Sequence, residues 1–379
     1  MKTAFTEAFF YELQSIKNSW YKIFLITLLP LLSAGVILLV FSSSVARDIP
    51  IVVVDKDQSK ISRKLLSNID ASATIHISQN ANSTREAVAL LKSSKVYGVV
   101  IIPQDFSKNI LLQKQPKVTM LLNTQFILVG KILTAAINSV VMHSSAQVEY
   151  IKNLVEVQNP QATINSIAPI GIQVTPFFNT YQSYSYFLTS AIIPAIWQIF
   201  IVITTLVSIG EIFKYKKEKL FFKDNSFITA RLFGLMLPYT IAFFILGLVY
   251  IFYFYSRWAF QGSFSVLLLG LLLTVIAYQV IALFLFVTGF DYARSLSLGA
   301  VYTAPAFAFL GVTFPVYNMN SLAIFWRDML PISHYVELQI SQANYGADIY
   351  LELSKLLSIS LFILLFIPVI LRFKRRVNR

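Results

Sequence analysis

Two kinds of pattern alternate along this chain. Uncharged apolar runs occupy Ile23–Phe41, Phe187–Ser208, Leu232–Tyr255, Phe264–Gly289 and Leu296–Phe314, and a sixth, Leu353–Leu371, carries only Lys355. Each is close to the ~20 residues that cross a ~30 Å hydrocarbon core, so six membrane spans are expected. Between the first and second runs the period changes. "IPIVVVD" (Ile49–Asp55) reads as a buried strand, and Ile61, Leu65, Leu66 and Ile69 then recur at helical spacing. "TIHIS" (Thr74–Ser78), "VYGVVII" before Pro103 and "KVTMLLN" (Lys117–Asn123) predict three more strands. Ser83 with Glu86 makes a capping box ahead of a helix bearing Ala87, Leu90 and Leu91. Val129, Ile132, Leu133, Ala136 and Val140 begin a long helix that runs toward Gln158. Alternating strands and helices predict an α/β domain over 46–182, inserted between the first and second spans.

Two flanking segments complete the pattern. In Met1–Ser19, Phe5, Phe9 and Leu13 repeat at i, i+4 and i+8, as in an amphipathic helix lying at the membrane surface. Trp20, Tyr21 and Lys22 then mark the interface of a first span over 20–45. A cleavable signal segment ending at Ala46 is the competing reading, but the apolar run exceeds a signal core of about 7–15 residues. Pro315–Leu351 is too polar and broken to span. It is expected to dip into the outer leaflet as a re-entrant segment, with Phe314, Pro315, Pro331 and Glu337 as candidate gate residues.

Charge fixes the orientation. The stretch "IGEIFKYKKEKLFFKDNSFITAR" (Ile209–Arg231) carries Lys214, Lys216, Lys217, Lys219, Lys223 and Arg231, and the tail adds Arg372, Lys374, Arg375, Arg376 and Arg379. These are eleven of the 31 basic residues, and basic residues collect on the cytoplasmic side of short membrane loops. Both termini and this loop are therefore expected in the cytoplasm, and 46–182 outside it. At 56 % hydrophobic residues, 13 % charged residues and a mean hydropathy of +0.66, the chain is a polytopic α-helical membrane protein rather than a soluble one. The net charge of +13 sits at membrane edges, which suits anionic headgroups better than nucleic acid.

Candidate chemistry is sparse. No G-x-x-x-x-G-K-[ST] is present, so no ATP-phosphate cradle is expected on this chain, and no cofactor. The absence of cysteine excludes disulfides and thiolate metal sites. His76, His143 and His334 are scattered, and no metal or catalytic constellation emerges. The acids near the spans, Glu211, Asp291, Asp328 and Glu352, lie at their edges, whereas ion-driven transporters bury carboxylates at mid-depth. An energy source outside the membrane segment is the better expectation.

At this point the residues resemble a family. "IPIVVVDKDQSKISRKLL" is similar to the strand plus "D-x-D-x-S" opening of type 2 ABC exporter permeases with a large extracytoplasmic domain. "PFFNTYQSYSYFLTSAIIPAIWQ" looks like their approach to the second span, with Thr180 and Ala195 in place of the usual Pro and Gly. "SIGEIFKYKKEK" stands where the family has its "E-x-E-x-G-T" coupling segment, keeping Glu211 and Glu218 without the Gly-Thr. "FAFLGVTFPVYNM" and "LPISHYVELQIS" resemble its outer loop and the stretch before the last span. The order of these motifs carries the resemblance along nearly the whole chain.

The resemblance implies a transmembrane export subunit paired with a second permease, identical or related, and with two cytoplasmic ATPase subunits that bind the ATP. It implies coupling through Glu211, Lys214, Lys216, Lys217, Glu218 and Lys219, with Glu211 either pairing locally with Lys214 or reaching the ATPase. Membrane lipid and, in a two-membrane cell, a periplasmic adaptor are further expected partners. The bland alternative for the loop is a topology anchor. The rival for the chain is a membrane-anchored sensor or phage-receptor-like protein that uses the inserted domain.

Overall fold

The computed structural model describes residues 2–43, 46–112, 114–123, 127–157, 179, 183–222 and 227–377. The expected loop residue Lys223, the approach at 176–178 and 180–182, and the end of the tail lie outside these. The chain divides into two compact units, Met1–Ser44 with Pro176–Arg379, and Val45–Thr175.

The second unit is a four-stranded sheet in the order β2-β1-β3-β4: β1 Ile49–Asp55, β2 Ile75–Asn80, β3 Gly98–Ile102 and β4 Thr119–Leu122. β1 pairs in parallel with β2 and β3, and β4 closes the edge antiparallel to β3. The unbroken apolar run of β1 has a simple cause, since both faces of the sheet are covered. Ile49, Ile51 and Val53 pack with Leu65, Ile69, Leu133 and Ile137 from helices Lys60–Asp70 and Ile127–Val157. Val52 and Val54 face Ala87 of helix Thr84–Lys92. The Ser83 hydroxyl accepts the Glu86 N–H at 3.2 Å, while the Glu86 carboxylate takes the N–H of Asn82 at 3.1 Å, one residue earlier than the standard box. The "D-x-D-x-S" stretch is a set of caps. Asp55 accepts the N–H groups of Asp57 and Gln58 and the Ser62 hydroxyl, Ser59 caps the helix that follows, and Asp57 accepts the Ser107 N–H at 3.1 Å.

The first unit is helical. Five of its helices are long and apolar enough to cross a membrane, among the described residues: Trp20–Val40, Tyr184–Lys214, Ile228–Tyr255, Phe264–Val287 and Ile349–Arg376. They are called here the first, second, third, fourth and last long helices. Of the 18-residue apolar stretch in each, 78 % is buried in the second and 72 % in the fourth, against 17 % in the first and 22 % in the last, which stand at the periphery.

The expected span Leu296–Phe314 is not one helix. It forms Tyr292–Thr303, breaks before Pro305, and resumes only as Ala306–Phe309. Twelve residues reach about 18 Å, short of the hydrocarbon thickness. Proline fills no amide in a helical ladder and crowds the residue before it, so the helix stops there.

The helix breaks are satisfied by side chains from elsewhere in the bundle. Pro194, inside the second long helix, leaves the Ser190 carbonyl without its helical donor, and the Gln339 amide supplies one at 2.9 Å. The Gln198 amide donates to the Thr303 carbonyl at 3.2 Å, close to where Pro305 ends its helix. Gln279 joins the third and fourth long helices, donating to the Met236 carbonyl at 3.1 Å and accepting from the Thr240 hydroxyl at 2.8 Å. An unpaired polar group in hydrocarbon costs several kcal/mol, roughly, so Gln339 and Gln198 are structural requirements at Pro194 and at the break before Pro305.

Candidate functional site

The first candidate site lies where the N-terminal helix Lys2–Asn18 meets the bundle. Its buried face is Ala4, Ala8 and Glu12. The expected stripe of Phe5, Phe9 and Leu13 is not that face: the two phenylalanines are partly buried and Leu13 is exposed. The reason is close approach. A Cβ on Gly234 of the third long helix would stand 2.5 Å from the Phe5 carbonyl oxygen and 3.0 Å from the Ala8 methyl, so only small residues fit along this contact. Phe9, Leu13 and Ile16 instead line an apolar cleft with Ile23, Ile26, Pro238 and Ile241.

Glu12 brings a charge into this packing, and Lys22 meets it. Lys22 Nζ lies 2.9 Å from Glu12 Oε1, 3.0 Å from Glu211 Oε2 and 2.8 Å from the Ser15 hydroxyl. The Tyr239 hydroxyl donates to Glu12 at 2.5 Å, and the Tyr21 hydroxyl donates to Glu211. Lys22 and Glu12 are almost wholly buried and Glu211 is 18 % exposed. The N-terminal helix and the first and second long helices therefore meet at one ammonium, and the third joins them through Tyr239 on Glu12. Two carboxylates against one cation leave a formal negative charge, which the two phenol donors stabilise. Glu211 makes no local pair with Lys214, contrary to one sequence expectation, because Lys22 holds it. Arg231 adds an outer tie, its guanidinium 2.9 Å from Glu7.

The loop beyond Glu211 is amphipathic. The second long helix continues to Lys214, then turns through Lys216 at φ 55° into a short helix, Glu218–Phe221. Phe221 and Phe222 are buried, with Phe222 against Phe213 and Phe373, and Phe221 beside Tyr11. Lys214, Lys216, Lys217 and Lys219 are exposed, and none forms an ion pair among the described residues. One oxygen of Glu218 is buried without a hydrogen-bond partner. Aromatic side chains thus pin the loop to the bundle while its lysines face outward.

The second candidate site is a helical hairpin, Ser321–Asp328 and Pro331–Ile340, turning at Met329 and Leu330. Its turn reaches deep into the bundle. The Tyr278 hydroxyl accepts the Ile332 N–H, and Tyr278 lies about 21 Å along the fourth long helix from Phe264. The Tyr302 hydroxyl donates to the Met329 carbonyl at 2.5 Å. Arg327, 9 % exposed, is paired with Glu337 and, at 3.4 Å, with Asp328, both about half exposed. Of the expected gate residues, Pro331 opens the second hairpin helix and Glu337 pairs with Arg327, while Phe314 is exposed and Pro315 precedes a 3₁₀ turn.

The sequence signal for the missed residues was present. Glu12, Lys22, Gln198 and Gln339 are the polar positions inside otherwise apolar faces or runs, which is where a partner is required.

A family model described as an ABC-2 family transporter protein matches residues 20–372. No curated protein matches the chain.

Proposed function

This chain belongs to the ABC-2 family of transporter proteins, and from that premise we propose that it is the membrane subunit of an exporter driven by a separate ATPase. The substrate leaves the cytoplasm between this chain and a second permease copy or homologue, in the cytoplasmic membrane. Both termini and the loop at 209–231 face the cytoplasm, and the α/β unit is extracytoplasmic, available to a periplasmic adaptor where two membranes exist.

Even parity of crossings needs the broken fifth passage to count as one. Tyr292–Thr303 and Pro331–Ile340 support that reading because they flank the second long helix in series. Tyr292 packs on Gly210 and Gly299 on Leu206, and farther along the same helix Tyr335 lies beside Trp197 and Gln339 bonds Ser190. In this reading the hairpin is the re-entrant gate.

The observation that carries the proposal is the Glu12–Lys22–Glu211 junction. A push on the exposed loop lysines or on the N-terminal helix moves the first three long helices together, because Lys22 joins Glu12 to Glu211 and Tyr239 of the third helix bonds the same Glu12. ATP binding on the partner supplies that push. The test is co-expression with a cognate ABC-type ATPase, followed by co-purification and ATP turnover in nanodiscs. Charge reversal at Lys216, Lys217 and Lys219 is expected to leave melting unchanged and to lower co-purification or turnover at least about tenfold, a ~1.4 kcal/mol step. Unchanged turnover and co-purification would reduce the loop to a topology anchor.

A further inference from the structure

The short turn between the fourth long helix and Tyr292–Thr303 gathers cations from three parts of the chain. Lys214 Nζ, at the end of the second long helix, sits 5.3 Å from the centre of the Tyr292 ring and 5.6 Å from that of Tyr215. The Arg376 guanidinium, at the end of the last long helix, sits 5.7 Å from the centre of the Phe290 ring. The Arg294 side chain lies against Gly289. All three therefore attach to Gly289–Tyr292, a tetrapeptide that spans no more than about 11 Å. Phe290 holds φ 51°, which turns the chain sharply here.

None of the three has a carboxylate partner among the described residues. Asp291 is the acid within the turn, and one of its oxygens already accepts the Arg294 backbone N–H at 2.7 Å as a helix cap. Glu211, the next acid near Tyr292, is held by Lys22, so the three cations face one further carboxylate, that of Asp291, and a local excess of positive charge remains. Beneath them lies an apolar floor of packed rings, in which Phe213, Phe286, Phe290 and Phe373 contact one another. The ring faces attract the heads of Lys214 and Arg376 through their π-electrons, while Arg294 is placed by its packing against Gly289.

We propose that Lys214, Arg294 and Arg376 form a binding site for the phosphate of an anionic phospholipid. Location selects the lipid over other anions. Lys214 and Arg376 stand at the ends of apolar helices long enough to span hydrocarbon, and Arg294 opens the short helix that follows the turn after the fourth one, so all three lie at the depth of headgroup phosphates. Two guanidinium forks and an ammonium match the several oxygens of a phosphodiester, and the acyl chains continue beside the helices that carry the cations. The site rests on the chain being membrane-embedded and does not depend on any ATPase partner.

The test uses the purified full-length chain alone in zwitterionic detergent. Bound phosphatidylglycerol or cardiolipin is measured by native mass spectrometry against phosphatidylcholine. The variant K214Q/R294Q/R376Q is compared with K56Q/R63Q/K64Q, which removes the same charge from the α/β unit. The expected result is a fall of at least about tenfold in anionic-lipid affinity in the first variant only, with phosphatidylcholine unaffected in both. Melting curves of the two variants identify any loss caused by unfolding, and in that case the single variant R376Q, on an exposed side chain, is expected to show a partial loss. Anionic lipid retained at parental affinity in a folded triple variant overturns the proposal. If that variant instead loses only co-purification with an ATPase, the patch belongs to an acidic protein surface.

Discussion

Lys22 of the first long helix lies 3.0 Å from Glu211 of the second, and Glu12 occupies the other side of the same ammonium. The two acids are therefore unequal in consequence to the lysine. Removing either carboxylate leaves Lys22 paired, whereas removing Lys22 leaves the buried Glu12 and the partly buried Glu211 without their shared cation.

The first prediction follows from that asymmetry. Glu211→Gln is expected to cost about 1–3 kcal/mol of stability, and Lys22→Met more, toward ~3–5 kcal/mol. In the double variant the two losses should be clearly less than additive. Thermal melting in detergent across the cycle measures this. Additive losses would mean that Lys22 and Glu211 do not interact.

The second concerns Pro194 and Gln339. Gln339→Leu leaves the Ser190 carbonyl unpaired in an apolar surrounding, a cost of about 1–3 kcal/mol. In a Pro194→Ala background the helix regains its own N–H donor, so the Gln339→Leu penalty should shrink. An equal penalty in both backgrounds would show that Gln339 acts by some other contact.

The third addresses the hairpin. Arg327 is buried while Asp328 and Glu337 are half exposed, so the arginine cannot be hydrated as easily as its partners. Arg327→Leu should lower melting more than Glu337→Gln, whose pair is water-screened and worth at most about 1 kcal/mol. The reverse order would place the hairpin's stability in Glu337.

The fourth is a pH dependence in the α/β unit. Burial alone would raise the Asp57 carboxyl, but hydrogen bonds from Ser59, Ser107 and Phe106 outweigh it and hold the group below its ordinary value. A carboxyl depressed in the folded state stabilises above its unfolded pKa and loses that contribution as pH falls through the folded value. Amide exchange at Ser107 should therefore speed up below about pH 4 relative to its intrinsic rate, and Asp57→Asn should flatten that dependence. A parental pH profile in Asp57→Asn would remove Asp57 as the cause.

What the sequence determined by itself is whatever short-range physics dictates. The helices at Trp20–Val40, Tyr184–Lys214, Ile228–Tyr255, Phe264–Val287 and Ile349–Arg376 follow from apolar runs of spanning length, uncharged but for Lys355 in the last, because backbone polar groups in lipid must pair within their own helix. The strands Ile49–Asp55 and Gly98–Ile102 follow from apolar runs with β-branched residues, and the Ser83 cap from a local hydrogen bond.

Tertiary structure decided the rest, for reasons that no window of sequence contains. Pro305 stops the helix within Leu296–Phe314 locally, but burying the Thr303 carbonyl at that break depended on a donor, and the donor is Gln198 on another helix. Which face of the N-terminal helix packs depended on Gly234, whose missing side chain favours Ala4 and Ala8 over the larger Phe5 and Phe9. Glu211 has several lysines nearby in sequence, yet its partner is Lys22, because burial removes water from that pair and leaves the loop lysines hydrated. A charge pairs where desolvation makes pairing necessary, and desolvation is a property of the packed bundle.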